Sequence, residues 1–593
     1  MSNKNDIIHV WEMEELVLTG REQYTNPYTD ADVWIDLTGP GFNKRVYGFW
    51  DGGKTFRVRF TAPAPGEWEW VSGASVFDTG LTGKSGSFRA APWSESEKRE
   101  NPCRRGFLRP SLNGRAFQYA DGTPCYYTTD TWWAAPSFRF PWVDKQQKLP
   151  GWADMSFQEM VQFRKKQGYS GIAMLAGHPS WAADGRPAAL FFDDEEHTPL
   201  RHAWQLNGSA GLNDAGHAPA KDMHNEGGRP FMFPGKVPGY EDVVPDFDRI
   251  NPDYFKYMDR KIAYLNEQGM IPFIETARRD VIPAWKKFYN WPDSYTRYIH
   301  YIFSRYQAYN VLLSPIHYDS VKCTVPPREM NEPANLCIDK YGRPPFGTLI
   351  GANSYPSSLT DFGGAREARW LTFHQTGNWR THDCYWYLTE IFRELPARPA
   401  LNGEPYYPGF PKNNPDASSS TSDRYCRSGM YGSFLSGGLA GYIYGAEGIW
   451  GGNIEEEAEY RIWEALRFKS GGQVQYLQKF VMSRGKLYQS LIPEPDLLIP
   501  SRTGDPGRYD GWAYCAHTPD KTWALLYFEQ GCPKAVIRSL IPEKRYRFSW
   551  YNPRNGTWVE PDEPILKTDW IGITPLPDFP DGEDWAASIE LAE

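Results

Sequence analysis

The stretch "KTFRVRF" puts Phe56, Val58 and Phe60 on one side of an extended chain and Arg57 and Arg59 on the other, directly after the turn-forming "DGG". A period of two marks a strand with one buried face. "GEWEW" repeats the alternation with Trp68 and Trp70, and short strands punctuated by Gly and Pro predict an antiparallel β-sandwich over residues 1–97. The polar "APWSESEKRENPCRRG" that follows reads as a linker. From about residue 105 the texture changes to helices that feed strands. Ser156 and Glu159 form a capping box for "SFQEMVQFRKKQ", Gly168 ends that helix, and the apolar "YSGIAMLAG" follows. Asn251 and Pro252 open a helix whose Phe255, Met258, Ile262 and Leu265 share one face, and Gly269 closes it before "MIPFIET". "DSYTRYIHYIFSRYQAY" then runs into "NVLLSPIHYDS", and "CYWYLTEIFREL" into "ARPALNGEP". Helix-then-strand units predict parallel strands.

Eight such strands can be counted: "CYYTTDTWW", "YSGIAMLAG", "MIPFIET", "NVLLSPIHYD", "FGTLIGANSYP", "WLTFHQTGNW", "RPALNGEPYY" and "GLAGYIYGAEGIW". Eight closes a (β/α)8 TIM barrel, expected over residues 105–487. A Rossmann sheet is the runner-up, but no glycine-rich phosphate loop stands where a strand meets a helix. The segment from His178 to about Asp246, rich in Gly, Pro, Asp and His, is too long for an ordinary loop and is expected to roof the site. After about residue 488 the alternation returns. Tyr546, Phe548 and Trp550 share a face and Asn555-Gly556 signals a hairpin, so residues 488–593 are expected to form a second antiparallel β-sandwich.

Composition adds a ligand class. The 593 residues are 40% hydrophobic and 23% charged, ordinary for a globular chain with ample core, but 16% aromatic, with 25 Trp and 36 Tyr. Some of these rings fill sandwich cores; flat rings with polar edges also suit sugars, which have apolar faces. A net charge of -9 with no long basic run argues against a nucleic-acid partner. The start "MSNKNDIIHVWEMEE" has no basic and then apolar leader, and no run of 18 apolar residues occurs, so the expectation is a cytoplasmic protein with no membrane partner. Eight scattered cysteines without a C-x-x-C pair read as mostly reduced thiols.

Active sites of such barrels sit at the C-terminal ends of the strands. The polar residues expected there are Asp130, His178, Glu275, His317, Asp319, Asn353, His374, Gln375, Asn378, Asn402, Glu404 and Glu447. Beside them stand Trp132, Trp133, Trp181, Tyr318, Trp379, Tyr406, Tyr407, Tyr444 and Trp450, expected to bind substrate. Convergent carboxylates among aromatic platforms suit glycoside hydrolysis, which needs one carboxyl group to protonate the leaving oxygen and a second to attack the anomeric carbon or activate water. Glu404, in "PALNGEPYYPG", is the first candidate. The histidines include no tight pair, and "FDDEEH" at 192–197 lacks alternating ligand spacing, so neither a metal nor another cofactor is expected.

The succession "TTDTWW", "NVLLSPIHYDS", "TFHQTGNW", "PALNGEPYY" and "GLAGYIYGAEGIW" resembles the apiosidase-like glycoside hydrolases. That resemblance implies a (β/α)8 enzyme of the retaining clan, with its acid/base on the fourth strand and its nucleophile on the seventh. The flanks resemble the β-sandwich that often precedes such barrels and the small collagen-binding-like sandwich that often follows. "NGEP" matches the family's "DGEP", which makes Glu404 the nucleophile; the acid/base then falls on Asp319, with Glu275 in reserve. Where the family reads "GGD", this chain has His317 and Tyr318 before the aspartate, so the specificity for apiose is not carried over. Tyr318 and Trp rings are expected to bury the acid, and Asn402, Gln375 or a tyrosine hydroxyl to hold Glu404 anionic.

The expected function is therefore a retaining, exo-acting glycoside hydrolase on short oligosaccharides derived from plants or polysaccharides. An endo-acting polysaccharide hydrolase and a non-catalytic carbohydrate-binding protein are the alternatives. The flanking sandwiches could be collars on the barrel or complete the site of a second copy, which leaves a homo-oligomer open.

Overall fold

The computed structural model describes residues 7–177, 224–238, 241, 244–319, 325–377, 381, 382, 384–410, 415–456, 458–505 and 507–592. At its centre is a parallel sheet of seven strands, in the order Leu312–Ser314, Ile271–Glu275, Gly171–Leu175, Tyr127–Thr131, Gly441–Tyr444, Ala400–Asn402 and His374–Thr376. The first of these strands in the chain, Tyr127–Thr131, pairs with the last, Gly441–Tyr444. Parallel strands need crossovers, and helices supply them: Phe157–Lys166, Pro252–Glu267, Asp293–Tyr306, Cys384–Arg393 and Ser420–Leu435. The expected caps are present. Ser156 and Glu159 exchange both capping-box hydrogen bonds, and the Asn251 side chain accepts from Asp253 ahead of the second helix.

The segment expected as the fifth strand, around residue 350, is not a regular strand. Its backbone nonetheless reaches both outer strands of the sheet. Leu313 donates to Leu349 and accepts from Gly351, while Thr372 and Phe373 donate to Ile350. Tyr127, Ala173, Phe273, Leu312, Phe373, Leu401 and Ile443, one from the inner face of each strand or its flank, pack into one buried cluster with Leu349.

Both flanks are β-rich. Toward the N-terminus, five strands in the order Ile7–His9, Ser85–Ala91, Gly66–Ala74, Val33–Gly39 and Phe42–Tyr47 accompany a smaller sheet of Glu14–Thr19, Thr55–Phe60 and Phe49–Trp50. Phe56 and Val58 are buried as the alternation predicts, but so is Arg59, from the face expected to be polar. After residue 491 a sheet built on Ala513–His517, Trp523–Phe528, Trp585–Leu591 and Arg545–Asn552 carries the hairpin expected at Asn555-Gly556. The stretch expected to be a linker carries the short helix Glu95–Glu100, opened by a capping box of Ser94 and Glu97. The six described free cysteines are 103, 125, 337, 426, 515 and 532. No helix among the described residues is long and apolar enough to cross a membrane.

Candidate active site

A strand turns successive side chains to opposite faces, so the residue two beyond each inner-face filler also points inward. This rule carries the chain from Ala173 to Leu175, from Phe273 to Glu275, from Leu312 to Ser314 and from Phe373 to Gln375, all buried at the C-terminal rim of the sheet. Asn353 and Glu404 join this layer from the segments that follow Ile350 and Asn402. Two glycines make room for it: a Cβ at Gly377 would collide with the Asn353 amide, and one at Gly403 with the Gln375 amide.

Four ionisable groups meet there. Glu275, His317, Asp319 and Glu404 are 1%, 0%, 3% and 3% exposed. One oxygen of Asp319, one of Glu404 and a ring nitrogen of His317 all lie within 4.8 Å of one another. Asn353 Nδ2 donates to Glu404 Oε2 at 2.9 Å, and the Glu404 N–H donates to Asn402 Oδ1 at 3.2 Å. His317 Nδ1 shares a hydrogen bond of 2.6 Å with Glu275 Oε2, and its Nε2 stands 3.4 Å from Asp319 Oδ2. Asp319 is also ion-paired with Arg278, at 3.2 Å, and with Arg279. Burial pushes the Glu275 carboxyl well above the ordinary carboxylate range; the Glu404 charge adds to this, while a backbone hydrogen bond from Asn353 and the charge of Arg278 oppose it.

Aromatic rings close one side. The Trp133 ring meets His317 at 4.5 Å and Trp450 at 5.1 Å, and Tyr407 and Leu175 pack in the same cluster. Tyr407 Oη lies 3.1 Å from Thr131 Oγ1. Glu447 accepts from Trp450 Nε1 and Asn453 Nδ2, which fixes the ring rather than presenting the carboxylate openly.

Several expected binding residues face away from this layer. Asp130 pairs with Arg164 at 2.7 Å on the helix side of the sheet, where Trp132 donates to it and packs on Phe140. His374 bonds Ser358 Oγ, and burial, with Arg398 adding to it, lowers its pKa to about 3. Asn402 turns its amide to Ser433, Tyr406 turns its hydroxyl to Ser422, and Tyr444 bonds Ser470, all on helices outside the sheet. Tyr318 donates to the Val325 carbonyl and packs on Phe362. For Asp130, His374, Asn402 and Tyr444 the physical reason is that a strand buried on both faces offers no polar alternation from which to tell inward from outward. The Asn353 side chain, not among the groups expected to hold Glu404 anionic, donates to its carboxylate. His178, Trp181, Asn378 and Trp379 lie outside the described residues, as does most of the segment expected to roof the site.

Arg278 and Arg279 were not anticipated. Their signal is in "IETARRD", two cations three and four positions beyond a strand end. They also bear on metal binding. The His317, Asp319 and Glu404 donor atoms are close enough to hold a cation, yet Asp319 already pairs with two guanidinium groups that would repel one.

Residues 111–487, more than half of the chain, match the family model described as the apiosidase-like catalytic domain. Residues 7–75 match a domain of unknown function, and 503–586 a candidate collagen-binding domain of a collagenase. No curated protein matches the sequence. Among solved structures, the chain is similar to a candidate glycoside hydrolase from Bacteroides vulgatus, at 17% identity and a TM-score of 0.65 over 99% of this chain and 100% of the other. It is also similar to a protein titled glycoside hydrolase, at 15% identity and a TM-score of 0.56 over 83% and 98%. A glycoside hydrolase family 5 protein from Bacteroides vulgatus follows at 15% identity and a TM-score of 0.55 over 83% and 94%. At these identities the structural likeness is one of fold.

Proposed function

The chain belongs to the apiosidase-like catalytic-domain family and is a glycoside hydrolase, and from that premise we propose that it cleaves glycosidic bonds with retention of anomeric configuration, using Glu404 as nucleophile and Asp319 as acid/base. One observation carries the reading: carboxylate oxygens of Asp319 and Glu404 approach within 4.8 Å at the buried C-terminal rim of a parallel sheet. Retaining enzymes hold their two carboxyl groups about 5 to 5.5 Å apart, and inverting enzymes about 6.5 to 9.5 Å. In the first step Glu404 attacks the anomeric carbon while Asp319 gives a proton to the leaving oxygen. In the second, Asp319 takes a proton from water, whose oxygen displaces Glu404. Asn353, donating to Glu404, orients the nucleophile, and Trp133, Trp450 and Tyr407 supply a wall on which a sugar ring can stack.

The proposal includes a closed (β/α)8 barrel with residues 349–353 as its fifth stave, supported by their hydrogen bonds to both neighbouring strands. It also includes three domains, with the barrel over 105–487 between sandwiches at 1–97 and 488–593. Exo action on short oligosaccharides rests on the length of chain between Leu175 and Ile271.

The test is a panel of aryl glycosides, with the anomer first released identified by NMR. Glu404→Gln should abolish turnover. Asp319→Asn should lower kcat/KM on an alkyl glycoside by about 10²- to 10⁴-fold, yet spare dinitrophenyl glycosides, whose leaving group needs no proton. Release of the inverted anomer by the wild type, or an active Glu404→Gln, sinks the assignment.

A further inference from the structure

We propose that Glu275 and His317 form a proton relay behind Asp319, with Glu275 storing the proton that Asp319 delivers to the leaving group. This rests on the reading of Glu404 and Asp319 above and assigns two further residues to the same reaction.

Glu275 Oε2 and His317 Nδ1 are 2.6 Å apart, and His317 Nε2 and Asp319 Oδ2 are 3.4 Å apart. The first link is a hydrogen bond, and the second is an ion-pair contact that must shorten before a proton crosses it. All three side chains are buried. The His317 backbone is fixed on both sides, its N–H donating to the Ala277 carbonyl and its carbonyl accepting from the Arg279 N–H, and the Trp133 ring lies against the imidazole at 68°. A buried carboxyl group needs partners or a task, and Glu275 has the imidazole as its side-chain partner here.

The relay answers a difficulty in the two-carboxyl scheme. A general acid must hold a proton, whereas ion pairing to two guanidinium groups favours the charged form of a carboxyl group. In the resting arrangement Glu275 is the neutral acid, His317 carries its proton on Nε2, and Asp319 is the carboxylate between Arg278 and Arg279. As the glycosidic bond breaks and Glu404 bonds to the anomeric carbon, the Glu275 proton passes to Nδ1, the Nε2 proton to Asp319, and the Asp319 proton to the leaving oxygen. Glu275 ends as the carboxylate and His317 as the other neutral tautomer. In the second step a water proton enters at Asp319, the shifts reverse, water oxygen bonds to the anomeric carbon, and Glu404 leaves. Protons and charge balance over the cycle. Among the described residues, the charged and titratable groups around Glu275 are His317, Asp319, Glu404 and Arg278, with Arg279 behind Asp319.

The experiment compares the full-length wild type with Glu275→Gln and His317→Gln, each checked for an unchanged thermal midpoint. kcat/KM is measured across pH on an alkyl glycoside and on a dinitrophenyl glycoside. Both variants should lose about 10²-fold or more on the alkyl substrate, with the alkaline limb of the Glu275→Gln profile displaced, and remain within a few fold of wild type on the activated one. Equal losses on both substrates would reduce the pair to a structural role and overturn the relay. Formation of a glycosyl azide by Glu275→Gln, rather than by Asp319→Asn, would place Glu275 itself at the leaving oxygen and overturn it as well. A measurement without substitutions covers a variant that fails to fold: the wild-type rate on the alkyl glycoside in mixtures of H2O and D2O should bow, because more than one proton moves, and a linear dependence would overturn the proposal. If Glu404→Gln is active, the two-carboxylate reading itself has failed; if it is inactive while both relay variants match wild type on both substrates, only the relay has.

Discussion

Gln375 is a side chain whose polar atoms the described part of the fold leaves unused. It is fully buried at the rim of the sheet, and neither its amide oxygen nor its amide nitrogen has a hydrogen-bond partner among the described residues. A buried amide without partners costs stability, and replacing it by an apolar isostere is nearly neutral or favourable to the fold. Gln375→Leu should therefore keep or raise the thermal midpoint while lowering kcat/KM by about 10- to 100-fold, the loss of one or two substrate hydrogen bonds in a dry site. A variant that is less stable and equally active would mean the amide serves the fold. The sequence singled out Gln375, Glu275, His317, Asp319, Asn353 and Glu404 because polar residues at the ends of apolar strands are legible in one dimension. It was silent on which of them touch one another.

At the scale of elements, the helix Phe157–Lys166 is fastened to the strand Tyr127–Thr131 by the pair Arg164–Asp130. Both side chains are fully buried, and Arg164 also donates to the Leu466 carbonyl while Asp130 accepts from Trp132. Removing one partner of a buried pair strands the other charge, at a cost of about 3 to 5 kcal/mol, whereas replacing both by apolar groups can be neutral. Arg164→Met should lower the urea midpoint accordingly, and Arg164→Met combined with Asp130→Leu should regain much of the loss. A single substitution without effect would show the pair to be dispensable. The same pair explains why Asp130 was misplaced. In "TTDTWW" both faces of the strand are buried, so periodicity cannot separate the inward Thr129 and Thr131 from the outward Asp130 and Trp132.

At the scale of the molecule, buried charges join the flanking sheets to the centre. Asp259 of the helix Pro252–Glu267 meets Arg305 of the helix Asp293–Tyr306 at 2.7 Å and Arg59 of the N-terminal strand Thr55–Phe60 at 2.6 Å, and Arg305 also reaches Asp51. Toward the C-terminus, His382 meets Glu529 at 2.6 Å and Arg427 meets Asp584 at 2.7 Å. Burial alone would raise the Asp259 pKa, but Arg305 and then Arg59 outweigh it and hold the carboxyl well below its usual range. A carboxyl group depressed in the folded state stabilises that state above its unfolded pKa of about 4. That contribution is lost as pH falls toward the folded value. Thermal midpoints measured from pH 7 downward should therefore drop more steeply below about pH 4 for wild type than for Asp259→Asn, which should already be less stable at pH 7. Parallel curves would deny Asp259 this role.

The sequence by itself determined the periods: two at the flanks, helix-then-strand units in the centre, and capping residues at two helix starts, because these depend on neighbours three or four positions away. It also determined that Glu404 follows a buried strand among tyrosines. Only the tertiary structure decided that Arg278 and Arg279 stand against Asp319, that Asn353 holds Glu404, and that Tyr406 and Tyr444 turn outward. Those facts depend on which face of a doubly buried strand looks inward and which strand ends meet across the sheet, and neither is encoded in local spacing.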